Sequence, residues 1–281
     1  VGGGQLPIGV FDSGVGGLTV LRALRRSMSG ENFIYLGDTA RLPYGTKSAG
    51  TVVRYSLQCA AALVAREIRC LVVACNTASA SALPALRLQY PELPVIGVIE
   101  PGAAAAVGAS RTQAIAVIAT EGTIGGGAYQ EAIRRLSPGA RVTSRACSLF
   151  VAMAEEGWTE GPIAEAVAHR YLDPLFDAPD APDTLVLGCT HFPVLANAIR
   201  AVLPLGVTII DSAATTAAAV QRQLAQAAGA AVSQAAAAAA TVHATGRVRW
   251  LATDGAARFA RVGTTFLGET LGASDVELVD L

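Results

Sequence analysis

Short apolar runs of strand length alternate with amphipathic segments of helix length along almost the whole chain. The runs are Ile8–Phe11, Phe33–Leu36, Cys70–Ala74, Val95–Val98, Ile115–Ala119, Arg141–Ala146, Thr184–Leu187, Val207–Ile210 and Val248–Ala252. Between them lie helix-like stretches such as Leu18–Arg26, Val52–Glu67, Gly127–Arg135, Ile163–Leu172, Pro193–Val202 and Ala213–Ala227. A run that is apolar at nearly every position suits a strand covered on both faces. Helices between such strands act as crossovers of a parallel sheet. Nine strands exceed one modest sheet. The pattern predicts an α/β protein of two lobes, each a mainly parallel sheet flanked by helices. Seams are expected at Glu100-Pro101-Gly102 and Pro204-Leu205-Gly206, so residues 1–98 with 207–281 form one lobe and 99–206 the other.

Two runs end in almost the same way. Leu71-Val72-Val73-Ala74 leads into Cys75-Asn76-Thr77, and Leu185-Val186-Leu187-Gly188 leads into Cys189-Thr190-His191. Each is followed by a segment that can be helical. Ligands of open α/β sheets bind beyond the carboxyl ends of the strands, and a helix N-terminus lowers a thiol pKa from its usual ~8.5. A lone cysteine is more often a small buried hydrophobe, which suffices for Cys59, Cys70 and Cys147. The repeated context sets Cys75 and Cys189 apart, one on each lobe, as a pair of acid/base groups facing one cleft. His191 stands two residues from Cys189, where an imidazole can orient the thiol or exchange protons with it.

Other polar clusters sit at the same edge. Asp12-Ser13-Gly14-Val15-Gly16-Gly17 follows the first strand and opens a helix. It fits neither a dinucleotide fingerprint nor a P-loop. The residues leave two readings open: an anion-cradling loop, or an ordinary β-to-α turn with an Asp/Ser cap. Gly37-Asp38-Thr39-Ala40, then Pro43-Tyr44-Gly45, reads by itself as a turn. Glu155-Glu156-Gly157 reads as a helix end with solvated acids.

Composition narrows the function. The 281 residues are 52% hydrophobic and 15% charged, with a formal net charge of −1, against a nucleic-acid or anionic-membrane surface. No apolar stretch approaches the ~20 residues that span a bilayer. No charged segment leads into a signal-like apolar core, so a cytoplasmic protein is expected. Five cysteines without a C-x-x-C pair, and three histidines without zinc-ligand spacing, argue against disulfides and metal. Lys47 is the only lysine, and nothing around it resembles a pyridoxal phosphate cradle, so carbanion chemistry would proceed without that electron sink. Ala228–Gly246 is low-complexity and expected to fray.

Together these motifs resemble glutamate racemases of the aspartate/glutamate racemase superfamily. The resemblance is carried by Val10 to Val20, Asp38 to Gly45, Ala74 to Ala78, Pro94 to Pro101, Ala119-Thr120, Leu187 to Pro193, Ala252-Thr253-Asp254 and Phe266-Leu267-Gly268. It implies a cofactor- and metal-free enzyme interconverting L- and D-glutamate, with D-glutamate feeding peptidoglycan synthesis. Cys75 and Cys189 would be the two bases, Asp12 supporting the first and His191 the second. Asp38 and Glu155 would belong to the acid/base network. Asp12, Ser13, Tyr44, Gly45, Asn76, Thr77, Thr120, Thr190 and His191 would bind the amino acid. A homodimer is expected by analogy. One stretch departs: the family usually has prolines where Ser148 and Ala152 stand. Competing readings are a racemase for aspartate, a hydrolase or lyase with one nucleophilic cysteine, and a non-catalytic amino-acid sensor.

Overall fold

A computed structural model describes residues 5–232 and 246–281. The strands are β1 (Ile8–Asp12), β2 (Phe33–Gly37), β3 (Cys70–Val73), β4 (Val95–Gly97), β5 (Ala114–Ala119), β6 (Arg141–Ala146), β7 (Thr184–Gly188), β8 (Thr208–Asp211), β9 (Val248–Ala252) and β10 (Val276–Leu278). The α-helices are α1 (Leu18–Ser27), α2 (Ala49–Val64), α3 (Asn76–Gln89), α4 (Ile99–Ala109), α5 (Glu121–Gly125), α6 (Ala128–Leu136), α7 (Leu149–Glu156), α8 (Pro162–Phe176), α9 (Ala196–Val202), α10 (Ser212–Val232) and α11 (Ala256–Leu267). They flank two sheets, ordered β10-β9-β2-β1-β3-β4 and β6-β5-β7-β8. All strand pairings are parallel. The predicted α/β architecture of two parallel sheets is therefore what the chain adopts.

The apolar runs explain themselves by burial. Every residue of β1, β2, β3, β5 and β7 is buried, as expected of strands with helices on both faces. Edge strand β6 alternates exposed and half-buried residues instead. α1 turns Leu18, Leu21 and Leu24 inward and ends on Arg25 and Arg26, whose charge suits the negative end of the helix dipole. α7 stops at Gly157, whose φ of +77° favours a residue without a Cβ.

Two boundary expectations change. Glu100-Pro101-Gly102 is no seam but the first turns of α4, where a proline costs nothing because its position has no intrahelical acceptor for an N–H. The run at 207–210 does not return to the first sheet either. β8 pairs with β7 in the second sheet, and the first sheet resumes only at β9. An apolar run reads the same whichever sheet it joins, so periodicity could not separate them. β10, α4 and α11 were not anticipated. The expectation for Ala228–Gly246 falls outside the described residues from 233 to 245, while α10 itself continues to Val232.

Strand order positions the site. In the first sheet the chain leaves β1 toward β2 on one side and then crosses to β3 on the other. In the second it leaves β5 toward β6 and crosses to β7. Such reversals open a crevice at the carboxyl ends of the two strands concerned. Asp12 and Cys75 stand at the β1/β3 reversal, and Thr120 and Cys189 at the β5/β7 reversal.

Candidate active site

The two reversals face one another across a single cavity of about 40 Å³, lined on one side by Ser13, Tyr44, Gly45, Cys75, Asn76 and Thr77. Thr120, Val151, Cys189, Thr190 and His191 line it from the other side, and Pro43 lines it as well. The paired cysteines, far apart in sequence, thus share one wall-to-wall site.

Cys75 caps α3: its Sγ accepts the Ala78 N–H at 3.4 Å and lies 3.7 Å from the Ser13 hydroxyl. Burial pushes this thiol up to about 12, and the Asp12 charge pushes the same way, while the Ala78 and Ser13 hydrogen bonds oppose them. Asp12 is fully buried; one carboxyl oxygen accepts the Gly14 N–H at 3.0 Å, and the other has no partner. Burial raises the Asp12 pKa against the charge of His191 and nearby backbone N–H groups. Asp12 therefore acts on Cys75 through charge rather than through a hydrogen bond. Ser13 is the side chain that touches the sulfur.

The Cys189 side is built differently. Its Sγ lies 3.9 Å from His191 Nδ1, and His191 Nε2 lies 3.1 Å from a Glu155 oxygen. The other Glu155 oxygen accepts from Arg258 at 2.7 Å. Burial opposes an imidazolium, but hydrogen bonds to Cys189 and Glu155, with the charges of Cys189 and Asp12, outweigh it and lift His191 to about 10. Burial also opposes the Glu155 carboxylate, and His191 with Arg258 more than compensate, holding its pKa below the usual value. Glu155 is thus neither a solvated helix end nor a cavity wall; it stands behind that wall, against His191.

Asp38 likewise stands behind the wall. It accepts from the Tyr44 hydroxyl, from Arg41 Nε at 2.9 and 2.7 Å, and from Thr253 at 3.0 Å. Its reach into the cavity is through Tyr44. Thr77, Thr120 and Thr123 form a hydroxyl triangle with each edge 3.1 Å. Asn76 accepts from Tyr129 at 2.9 Å, and its buried Nδ2 has no partner. A donor so placed fits a carboxylate oxygen, since an unmet buried donor costs about 1–3 kcal/mol.

The Asp12–Gly17 loop is a β-to-α turn, but not one with an Asp/Ser cap. No side chain caps α1. The loop's glycines permit close contact between the segments that follow β1 and β7: a Cβ on Gly16 would stand 2.4 Å from His191 Nδ1. Thr19 donates across the same seam to the Thr190 carbonyl at 3.0 Å.

The structure brings nearly all the expected residues to one place, with Asp12, Asp38 and Glu155 one layer back. Sequence reasoning missed Thr123, whose signal was present as a second hydroxyl three residues after Thr120. It also missed Val151, Arg258 and Phe266, which carry no local signal: they reach the site only through packing of α7 and α11. Among the described residues, no three His, Cys, Asp or Glu side chains are grouped to hold a metal, and no helix is long and apolar enough to cross a membrane.

Known proteins agree with this architecture. The family model for Asp/Glu/hydantoin racemases matches residues 8–221. A glutamate racemase of Geobacter metallireducens is 48% identical over 274 residues, covering 98% of this chain and 96% of its own. The crystal structure of a Francisella tularensis glutamate racemase in complex with D-glutamate superposes with a TM-score of 0.86 at 34% identity, over 98% of this chain and 97% of that one. A Thermus thermophilus glutamate racemase with β-chloro-D-alanine gives 0.84 at 42% identity, over 99% and 98%.

Proposed function

Since the chain belongs to the Asp/Glu/hydantoin racemase family, we propose that it interconverts L- and D-glutamate by a two-base mechanism using Cys75 and Cys189. The observation that carries this reading is the pairing of the two cysteines, each at the carboxyl end of a strand beside a reversal, across one cavity. The thiolate of one cysteine removes the α-proton and becomes a thiol. The electron pair stays on the α-carbon, spread into the carboxylate. The thiol of the other cysteine then donates its proton to the opposite face. Asn76 Nδ2, the threonine hydroxyls and the α3 N-terminus hold the substrate carboxylates, stabilising charge that grows in a water-poor site.

The two sides do different work at rest. His191, lifted to about 10, stands 3.9 Å from the Cys189 sulfur, whereas burial and the Asp12 charge push the Cys75 thiol up. Two halves of the chain meet at this cavity. We place those halves as lobes: one comprises β1–β4 with β9–β10, the other β5–β8.

The reading carries further consequences: no cofactor, D-glutamate supply for peptidoglycan, a cytoplasmic location and a homodimer. The test is circular dichroism of L- and D-glutamate with reduced protein and no pyridoxal phosphate. Interconversion of both enantiomers supports the assignment, and inert protein overturns it. Aspartate as the better substrate would keep the chemistry and replace the substrate.

A further inference from the structure

α11 belongs with the first sheet, yet it reaches the far side of the site. Its Phe266 ring meets the His191 ring edge-on, with centroids 5.0 Å apart and planes at 72°. Its Arg258 donates to the Glu155 oxygen not bonded to His191, at 2.7 Å. One helix therefore fixes the imidazole beside Cys189 in two ways, by a wall against its face and by an anchor on its carboxylate partner.

We propose that α11 sets the reactive geometry of His191, with Arg258 and Phe266 as positioning residues for proton transfer at Cys189. The inference rests on the racemase reading for its catalytic consequence. It also concerns closure, because Arg258 and Glu155 lie on opposite halves and their contact exists only when those halves meet. Arg258 is about half exposed and Glu155 largely covered, so the anchor forms at the edge of the cleft, where a pair of charges can make and break readily. The charged groups facing His191 are Cys189, Glu155 and Asp12, and those facing Glu155 are His191 and Arg258. Of these, only Arg258 comes from α11.

The experiment uses Arg258→Ala and Arg258→Lys in the full chain, with two readouts. The first is racemisation: Arg258→Ala lowers kcat about threefold to tenfold with KM nearly unchanged, because orientation rather than affinity is lost. The second is NMR of the His191 ring through an acid titration, which senses Glu155 protonation without any turnover. Arg258 stabilises the Glu155 carboxylate, so its removal moves this transition to higher pH, and Arg258→Lys moves it back. Should the alanine variant fail to fold, Arg258→Gln keeps the length and loses the charge, and reads the same transition. An unmoved transition with wild-type kcat overturns the proposal. A moved transition in a protein inert toward glutamate keeps α11 as the positioning element and overturns the racemase reading alone. A lower kcat with an unmoved transition leaves a merely structural role and also overturns the proposal.

Discussion

Gly16, in the loop after β1, lies so close to His191 that a Cβ there would stand 2.4 Å from Nδ1 and 2.5 Å from Cε1. The same Cβ would be 2.4 Å from the Thr190 hydroxyl oxygen. Neither neighbour is free to yield. His191 is held by Cys189, Glu155 and Phe266, and Thr190 by Thr19 through its carbonyl. Gly16→Ala therefore displaces the imidazole or wedges the halves apart. Expected is a fall in kcat/KM of at least about 100-fold, with a stability loss of about 1–3 kcal/mol. Racemisation assays and urea unfolding measure the two effects, and full activity in the variant would refute the contact.

The two-base assignment makes an asymmetric demand. In D₂O, Cys75→Ala should exchange the α-proton of one glutamate enantiomer only, and Cys189→Ala that of the other. Each variant keeps one base on one face and lacks the acid on the opposite face, so neither racemises. Proton NMR of the two enantiomers reads this directly. A single variant that exchanged both at wild-type rates would sink the mechanism.

Thiol reactivity should be ordered. Burial pushes Cys59, Cys70, Cys75 and Cys147 each up to about 12, whereas Cys189 has the His191 ring 3.9 Å away. Because the thiolate is the nucleophile, iodoacetamide near neutral pH should label Cys189 first, and glutamate should slow the labelling. Peptide mass spectrometry after timed quenching checks the order; earlier labelling of Cys75 would refute it.

Tyr44→Phe removes the hydroxyl that donates to the buried Asp38 carboxyl. Arg41 and Thr253 remain, so the carboxylate loses one donor among several. A cost of about 1–3 kcal/mol is expected, together with reduced activity, because Tyr44 also lines the cavity. Denaturant unfolding of both proteins gives the first number, and a cost below about 0.5 kcal/mol would show the bond adds little.

His191 ties stability to pH. Its folded pKa is raised to about 10 from an ordinary 6.5, so the folded state binds the proton more tightly than the unfolded chain does. The stabilisation is full below about 6.5 and is lost as pH climbs through about 10. The difference in unfolding free energy between wild type and His191→Asn should therefore shrink across that window. A difference independent of pH would mean that the ring is neutral in the fold.

Much of the architecture was legible because strand burial leaves a local mark. A strand covered on both faces must be apolar throughout, and the runs that became β1, β2, β3, β5 and β7 are such strands. The placement of Cys75 and Cys189 just past strand ends was legible as well, since the carboxyl end of a buried parallel strand is where a polar group can emerge into a crevice. The chemical kinship of the two cysteine segments needed no coordinates.

Membership and distance were decided only in three dimensions. Nothing in Val207–Ile210 says which sheet it joins, because pairing energy depends on a partner strand distant in sequence. Resemblance alone marks Asp38 and Glu155 as site residues, and whether an acid touches the substrate or steadies the group that does depends on a few ångströms of packing. Arg258 and Phe266 had no local signature, since their role exists only when α11 folds against α7. The short-range physics of burial and helix capping is written along the chain. The contact between its two halves, which turns two separate cysteines into one site, is set by tertiary packing alone.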